Sequence, residues 1–355
     1  MSRAIRRAMV LAAGRGTRLR PLSDERPKPL FPLGPLTILH YPLLMLRQAG
    51  VREVMMNLHH MGGQIRERFG AGGDLGLSIH FSEEQPELLG TGGGIKRARD
   101  FLEGGPFVVV NGDTISDVDL PSAIEEHERS GAAATMVLAE APADGKEYGL
   151  VAVDEDMRVR DIAGRAGWRG RPARLGHFCG IHVIEPRIFD LMPVTDIFCI
   201  NADVYPRLLA AGETIRACFL ARSFSDVGTP ARYLATAEAL LDGRLQPDYA
   251  GGPGWLRSAG AVERSPGIWI SAGARIDPAA VLQAPLYVGE NAAVEAGARV
   301  GPYALLGSAS RAAAGSAIAH TILWEGAVAP EGAVLERTIL TSSRRVAVDP
   351  AVNLE

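Results

Sequence analysis

AMVLAAGRGTRLRPLSDERPKPLFPL, residues Ala8–Leu33, joins a short apolar run to a loop crowded with small residues and cations. Ala8–Leu11 reads as the end of a buried strand. Ala12, Ala13, Gly14 and Gly16 follow it, then Arg18, Arg20 and the lysine of Pro27-Lys28-Pro29. Small residues let backbone N–H groups close on an anion in a concave nest, and cations beyond the nest neutralise it. The chemistry suggested is polyphosphate handling. The same letters also suit a glycine turn that starts a helix, with its arginines on a solvated face. Spacing excludes two familiar loops. The third slot of G-x-G-x-x-G holds Leu19, and Gly145-Lys146 has Glu140 where a P-loop needs its first glycine.

Outward from this loop, β-like and helical runs alternate up to about Leu241. Val51–Leu58, Leu77–Phe81, Phe107–Val110, Ala133–Leu138 and Leu150–Val153 are predicted strands. Leu39–Gln48, Gly63–Phe69, Gly93–Phe101, Asp119–Ser130 and Tyr205–Ala211 are predicted helices. Such alternation predicts an α/β fold, a Rossmann-like, mostly parallel sheet with flanking helices. Ligands of such sheets bind beyond the carboxyl ends of the strands, where Gly14 and Asn111-Gly112-Asp113 both fall.

The texture then changes twice. Residues 242–266 fill with Gly, Pro and Ser and read as a linker or an irregular docking segment. Beyond them, every sixth position from Ile270 is a small aliphatic: Ile276, Leu282, Val288, Val294, Val300, Leu306, Ala312 and Ile318. A hexapeptide period gives each short strand one inward aliphatic and each corner a small residue, the pattern of a left-handed parallel β-helix. About four coils are expected from 268 to 341, with a slip near Pro330 and the register recovered at Val334 and Leu340. The expected organisation is a catalytic domain over 1–241, a linker over 242–266 and a β-helix domain over 267–355.

With 47% hydrophobic and 22% charged residues, the composition is that of an ordinary globular chain. A net charge of -4 argues against a nucleic-acid surface. No apolar run reaches membrane-spanning length, and the run after Arg3, Arg6 and Arg7 is too short for a signal peptide. Cys179, Cys199 and Cys218 are odd in number and far apart, which suits reduced thiols and a cytoplasmic chain.

Asp113, at the tip of PFVVVNGD, has the position of a Mg²⁺ ligand and equally that of a turn-capping Asp. In SFSDVGTPARYL, Thr229 is the better helix cap with Pro230 at the first helical position, which leaves Asp226 for another task such as metal binding. QPELLGTGGGIK, Gln85–Lys96, is a second glycine loop whose Gly90, Gly92, Gly93 and Gly94 would let backbone lie flat on a base or ribose.

LAAGRGTRLRPL…PKPL, LGTGGGI, VVVNGD, YGLV, GIHVIEP and SDVGTP, in this order, resemble the sugar-1-phosphate nucleotidyltransferases over residues 8 to about 240. Members with a hexapeptide tail are similar to mannose-1-phosphate guanylyltransferases. The resemblance implies that Leu11, Ala12, Ala13 and Gly14 touch base and ribose and that Gly16, Thr17 and Arg18 hold the triphosphate. It places Gln85 and Gly90 against the base, and Lys28 between the α-phosphate and the sugar phosphate. Asp113 and Asp226 would hold Mg²⁺, while Gly149, Asp161, Arg165 and Gly180 would serve the sugar phosphate. Arg18, Lys28, Asp113 and Asp226 would then carry catalysis. Where many relatives have Glu-Lys-Pro, this chain has Gly164 and Arg165; where many have Asn-Ala-Gly, it has Phe178-Cys179-Gly180. Phe178 and the triple glycine resemble N-acetylmuramate-1-phosphate uridylyltransferases.

The implied partners are an NTP and a sugar 1-phosphate, without nucleic acid or membrane. GTP with mannose 1-phosphate is the leading pair, and UTP with an N-acetylhexosamine or N-acetylmuramate 1-phosphate the alternative. A non-catalytic nucleotide-sugar-binding paralogue is a further alternative, against which the four charged residues stand. Acyl transfer by the β-helix would need a catalytic His, and His320 also suits a plain corner residue. The tail is expected to form a homo-oligomer, with Trp269, Trp324 and Tyr303 as candidate contacts or, equally, as caps of the coil.

Overall fold

The computed structural model describes residues 5–141, 149–251, 255–258 and 260–349. Arg3, Gly145, Lys146, Tyr148 and the last residues of the expected third domain lie outside them. The chain divides into two compact units, Met1–Arg15 with Pro42–Phe224, and Gly16–Tyr41 with Ser225–Glu355. The Gly- and Lys28-bearing loop thus groups with the C-terminal part of the chain, across the boundaries expected at 241 and 267.

In the first unit, a nine-stranded sheet runs Val159–Ile162, Leu150–Val153, Arg174–Ile184, Phe107–Asn111, Arg7–Leu11, Glu53–Leu58, Ser78–Glu83. Ala134–Glu140 also pairs with Arg174–Ile184 and carries Ile215–Phe219 as its parallel neighbour. The four strands from Phe107–Asn111 to Ser78–Glu83 are parallel, joined through helices as right-handed crossover logic requires. Every predicted strand and helix of this part exists, within a few residues at its ends. Arg174–Ile184, the longest strand at 11 residues, is absent from the sequence reading. Its apolar alternation is broken by Gly176, His177 and Gly180, and its pairing with Ala134–Glu140 shifts register between Phe178 and His182.

The core of this unit joins Met9, Val109, Met136, Val151 and Ile184 to Ile95, Tyr205 and Leu208 from the helices. Three histidines, His127, His177 and His182, are buried in the same unit. His182 shares a 2.5 Å hydrogen bond with Tyr205, and burial pushes it down to about 3. His127 bonds Thr135 at 2.9 Å, and burial, then Arg187, lowers it to about 4. Burial also raises Cys179 and Cys218 to about 12, so both thiols are inert packing groups.

In the second unit, short strands build three parallel faces. One face stacks Ile268–Ile270, Leu286–Val288, Ala304–Leu306, Thr321–Leu323 and Thr338–Leu340; the others stack four strands each. Of the nine aliphatics from Ile270 to Ile318, six are buried in its core, and Ile270, Ile276 and Leu282 pack against it partly buried. Ile268 pairs with Leu286 and Leu286 with Ala304, eighteen residues per coil. Ala304 pairs with Thr321, and Ile322 with Ile339, at seventeen. The slip therefore lies at His320, not near Pro330. There a single left-handed residue (φ 47°) turns the corner, and Arg337 (φ 44°) repeats the device one coil later. Val334, expected inward, is 68% exposed, and Leu335 takes the core position at 1%. No helix among the described residues is long and apolar enough to cross a membrane.

Two outcomes are expected from denaturation. Leu335→Ala should cost about 2–5 kcal/mol and Val334→Ala no more than about 0.5 kcal/mol, and the reverse order would restore the sequence register. The histidines fix the sign of the pH response. Their folded pKa values lie below the unfolded 6.5, so the unfolded chain takes up protons first as pH falls. Stability should be full above about pH 6.5 and fall below it, by up to about 1.4 kcal/mol per pH unit for each histidine. Urea midpoints between pH 7 and 5 test this, and His127→Gln should flatten the slope.

Candidate functional site

Three parallel strands of the first unit end level with one another, because Leu11 pairs with both Asn57 and Asn111. Apolar runs, Val54–Met56 and Phe107–Val110, precede the two asparagines, and Asn57 is itself buried, so its amide needs partners there. The chain leaving Leu11 is tied down at once: Ala12 N–H donates to Asn57 Oδ1 at 2.8 Å, and Gly112 N–H to the Leu11 carbonyl at 2.9 Å. A cavity of about 200 Å³ opens over these ends, lined by Leu11, Ala13, Gly14, Asn57, Leu88, Gly90, Thr91, Asn111 and Asp113. Five of those nine are site residues expected from the sequence, and Asn111 stands in the Asn111-Gly112-Asp113 stretch already placed at a strand end. Asn57, Leu88 and Thr91 were not expected, although an Asn closing a buried run, as in VMMN, is the signal that finds the first.

Asn57 does more than line the cavity. Its Nδ2 donates to Glu84 Oε1 at 2.7 Å, and Glu84 Oε2 accepts the Leu89 N–H at 2.8 Å. Glu84 is fully buried, so both carboxylate oxygens require such donors. The relay Ala12–Asn57–Glu84–Leu89 fixes the first glycine loop against the second.

The second loop differs from expectation. Its glycines sit inside a helix, Gly90–Arg97, and three of them accommodate protein instead of ligand. A Cβ on Gly92 would lie 2.4 Å from the Phe198 ring, one on Gly93 2.0 Å from the Asp196 carbonyl, and one on Gly94 2.7 Å from Glu84 Oε1. Only Gly90, at φ 73°, reaches the cavity. Gln85 is exposed and outside its lining.

The residues expected at the sugar separate. Gly180, in the left-handed region at φ 74°, leaves room for Asn111: a Cβ there would stand 2.6 Å from Asn111 Nδ2. Asp161 is 8% exposed, and its two oxygens accept N–H bonds from Gly164 at 2.5 Å and Ala166 at 2.7 Å. It shapes the turn that presents the exposed Arg165, and Gly149 packs on Ala163 of the same turn. A larger hollow of about 300 Å³ adjoins this turn at Arg158, Arg160, Trp168 and Glu213. Arg160 is paired with Asp154 at 3.9 Å and Arg158 with Asp156 at 4.0 Å, and none of the three level strand ends reaches it.

In the second unit, Gly16 (φ 60°) turns the loop back on itself, and its missing Cβ would stand 3.4 Å from Lys28 Cβ. Lys28 is only 8% exposed and opens the tight turn Lys28–Leu30 between its two prolines. Thr17 and Arg18 are exposed. Arg18 and Asp226 come together over Gly228: a Cβ there would lie 3.1 Å from Arg18 Nη2 and 3.3 Å from Asp226 Oδ2. Arg232 donates to the other oxygen, Asp226 Oδ1, at 2.7 Å. Thr229 caps the helix Pro230–Leu241 as expected, accepting the Arg232 N–H at 3.2 Å.

A group of three or more His, Cys, Asp or Glu side chains able to cage a metal does not occur among the described residues. Asp113, in the first unit, and Asp226, in the second, are each a carboxylate of the kind from which Mg²⁺ commonly takes only one or two ligands, substrate phosphates and water completing its shell.

The model of a family described as nucleotidyl transferase matches residues 7–165. A mannose-1-phosphate guanylyltransferase of Mycobacterium tuberculosis is 30% identical over 93% of this chain and 83% of its own length. An N-acetylmuramate alpha-1-phosphate uridylyltransferase of Neisseria meningitidis is 36% identical over 52% of this chain and 77% of its own. Among solved structures, HddC from Yersinia pseudotuberculosis complexed with GMP-PN is 27% identical with a TM-score of 0.53, covering 66% of this chain and 99% of that one.

Replacing Asn57 by Leu should leave the buried Glu84 carboxylate short of a donor and lower stability by about 1–3 kcal/mol. Urea denaturation reads this, and an unchanged midpoint would mean that the relay carries no weight.

Proposed function

Since the chain belongs to the nucleotidyl transferase family, we propose that it transfers a nucleoside monophosphate from an NTP to a sugar 1-phosphate and releases pyrophosphate. The observation that carries this reading is the cavity over three level strand ends, with glycine backbone at Gly14 and Gly90 and a carboxylate at Asp113. The flat, small-residue walls suit a base and ribose, and the strand-end position is where α/β sheets bind nucleotides.

A phosphate oxygen of the sugar 1-phosphate attacks the α-phosphorus, its P–O bond to the β-phosphate breaks, and pyrophosphate leaves with that bond's electron pair. The attacking monoester is already largely dianionic near neutral pH, its second pKa being about 6, so no general base is required. Accordingly neither His127 nor His182 is recruited; burial keeps both neutral. Catalysis is then positioning and charge neutralisation. Lys28, held in a nearly dry turn, offers a fixed positive charge to the phosphates, where a cation acts through weakened screening. Arg18 offers a second, more exposed one. Asp113 and Asp226 would hold Mg²⁺, which when bound supplies further neutralisation of phosphate charge.

GTP with mannose 1-phosphate is the leading pair, because the likeness to the mycobacterial enzyme runs through the β-helix region as well. A uridylyl donor with an N-acetylmuramate-type acceptor is favoured by the higher identity to the meningococcal enzyme, over 52% of this chain, and by Phe178. A cytoplasmic location and self-association through the β-helix belong to the same proposal.

Pyrophosphate release from GTP, UTP, dTTP, ATP and CTP against mannose, glucose, heptose and N-acetylhexosamine 1-phosphates tests it. The GTP–mannose cell should be fastest; a UTP–N-acetylhexosamine maximum would move the assignment, and silence in every cell would reject the reaction. Asp113→Asn and Lys28→Ala should each lose about 100- to 1,000-fold in kcat while staying folded.

A further inference from the structure

Trp324, read from the sequence as either a subunit contact or a cap of the coil, is covered by its own chain at 2% exposure. It packs edge-on against Phe31, ring centroids 4.9 Å apart, and Arg26 lies 4.8 Å over its other surface. The next residue, Glu325, takes Arg26 Nη1 at 2.8 Å. Trp324 Nε1 donates to the Tyr233 hydroxyl at 3.2 Å, and that hydroxyl donates to the Pro32 carbonyl. A coil further on, Glu25 is held by Arg344 Nε and Ser343 Oγ, each at 2.8 Å.

These contacts fall at residues 25 and 26 on one side of Lys28 and at 31 and 32 on the other. Between them Pro27 and Pro29 remove backbone freedom, and Phe31 N–H closes the turn on the Lys28 carbonyl at 3.0 Å. The loop has no long helix or strand of its own to hold it. Its rigidity comes from the β-helix.

We propose that Trp324 and Glu325 are positioning residues for Lys28, so that the β-helix fixes the cation of the reacting site. This rests on the reading of Lys28 as a phosphate-binding residue. A loosened loop would still let nucleotide bind through the first unit but would misplace the charge needed as pyrophosphate leaves, an effect on kcat more than on KM.

The full-length chain is assayed for kcat, for KM of the NTP and for amide hydrogen exchange across residues 22–31. Trp324→Leu should lower kcat about tenfold or more with KM within about twofold, and exchange in 22–31 should rise. Trp324→Phe should restore most of the turnover by refilling the space against Phe31. Glu325→Gln, at a partly exposed position that tolerates the change, should show the same effects more weakly and keeps the test open if Trp324→Leu fails to fold. Glu295→Gln, in the separate Glu295–Arg311 pair, should match the wild type. Unchanged exchange and kcat in Trp324→Leu and Glu325→Gln, with Lys28→Ala inactive, would overturn the positioning role alone. Full turnover in Lys28→Ala would overturn the reaction reading beneath it.

Discussion

One asparagine amide holds the first unit's site in shape. Asn57 stands at the end of a buried strand, accepts from the backbone of the first glycine loop and donates to a carboxylate that has no access to water. Glu84 passes the constraint to Leu89, at the foot of the glycine helix. A buried carboxylate with neutral donors is costly unless each lone pair is met, so the relay permits few alternative geometries. The cavity follows from it. Ala13, Gly14, Gly90 and Thr91 surround one space because two loops about seventy residues apart are pinned to the same amide.

The second unit obeys a different constraint. Its loop carries four cations between Arg15 and Pro29, and its Phe31 is buried against Trp324 and Tyr233. Trp324 and the coil around Thr341 belong to the β-helix, and Tyr233 to the helix Pro230–Leu241. Other contacts reach the helix Pro230–Leu241 in the same way: His320 meets Glu238 at 2.9 Å and Tyr303 meets Asp242 at 3.2 Å, with the two rings stacked. His320 is thus a corner residue with a carboxylate partner. The hexapeptide tail packs against the chain's own loop.

Much of this was legible in the residues. Alternation of period two and 3.6 gave the strands and helices, since burial of one face imposes those periods directly. The six-residue recurrence gave the coils, and Thr229-Pro230 gave a helix start, because caps answer to the nearest three backbone N–H groups. The Gly14 loop and Asp113 were found through the rule that ligands meet sheets at the strands' carboxyl ends. What escaped shares one property: its cause lies far away along the chain. Gly92 and Gly93 are glycines because residues 196–198 pass over them, and Gly94 because Glu84 lies beside it. Asp161 turned inward to its own loop. Val334 and Leu335 exchanged roles because the corner at His320 lost a residue, and a one-residue slip turns every side chain over.

The sequence by itself determined the α/β alternation, the β-helix, the family and the glycine loop that follows the first strand. All of these rest on patterns that repeat within a few residues, where backbone sterics and solvent exposure act locally. Only the tertiary structure decided which of those residues face the cavity, which glycines serve packing, and what holds Lys28 still. Those outcomes depend on contacts between segments tens to hundreds of residues apart, as between Glu25 and Arg344. No local period encodes such a contact; it exists only once both partners have been folded into place.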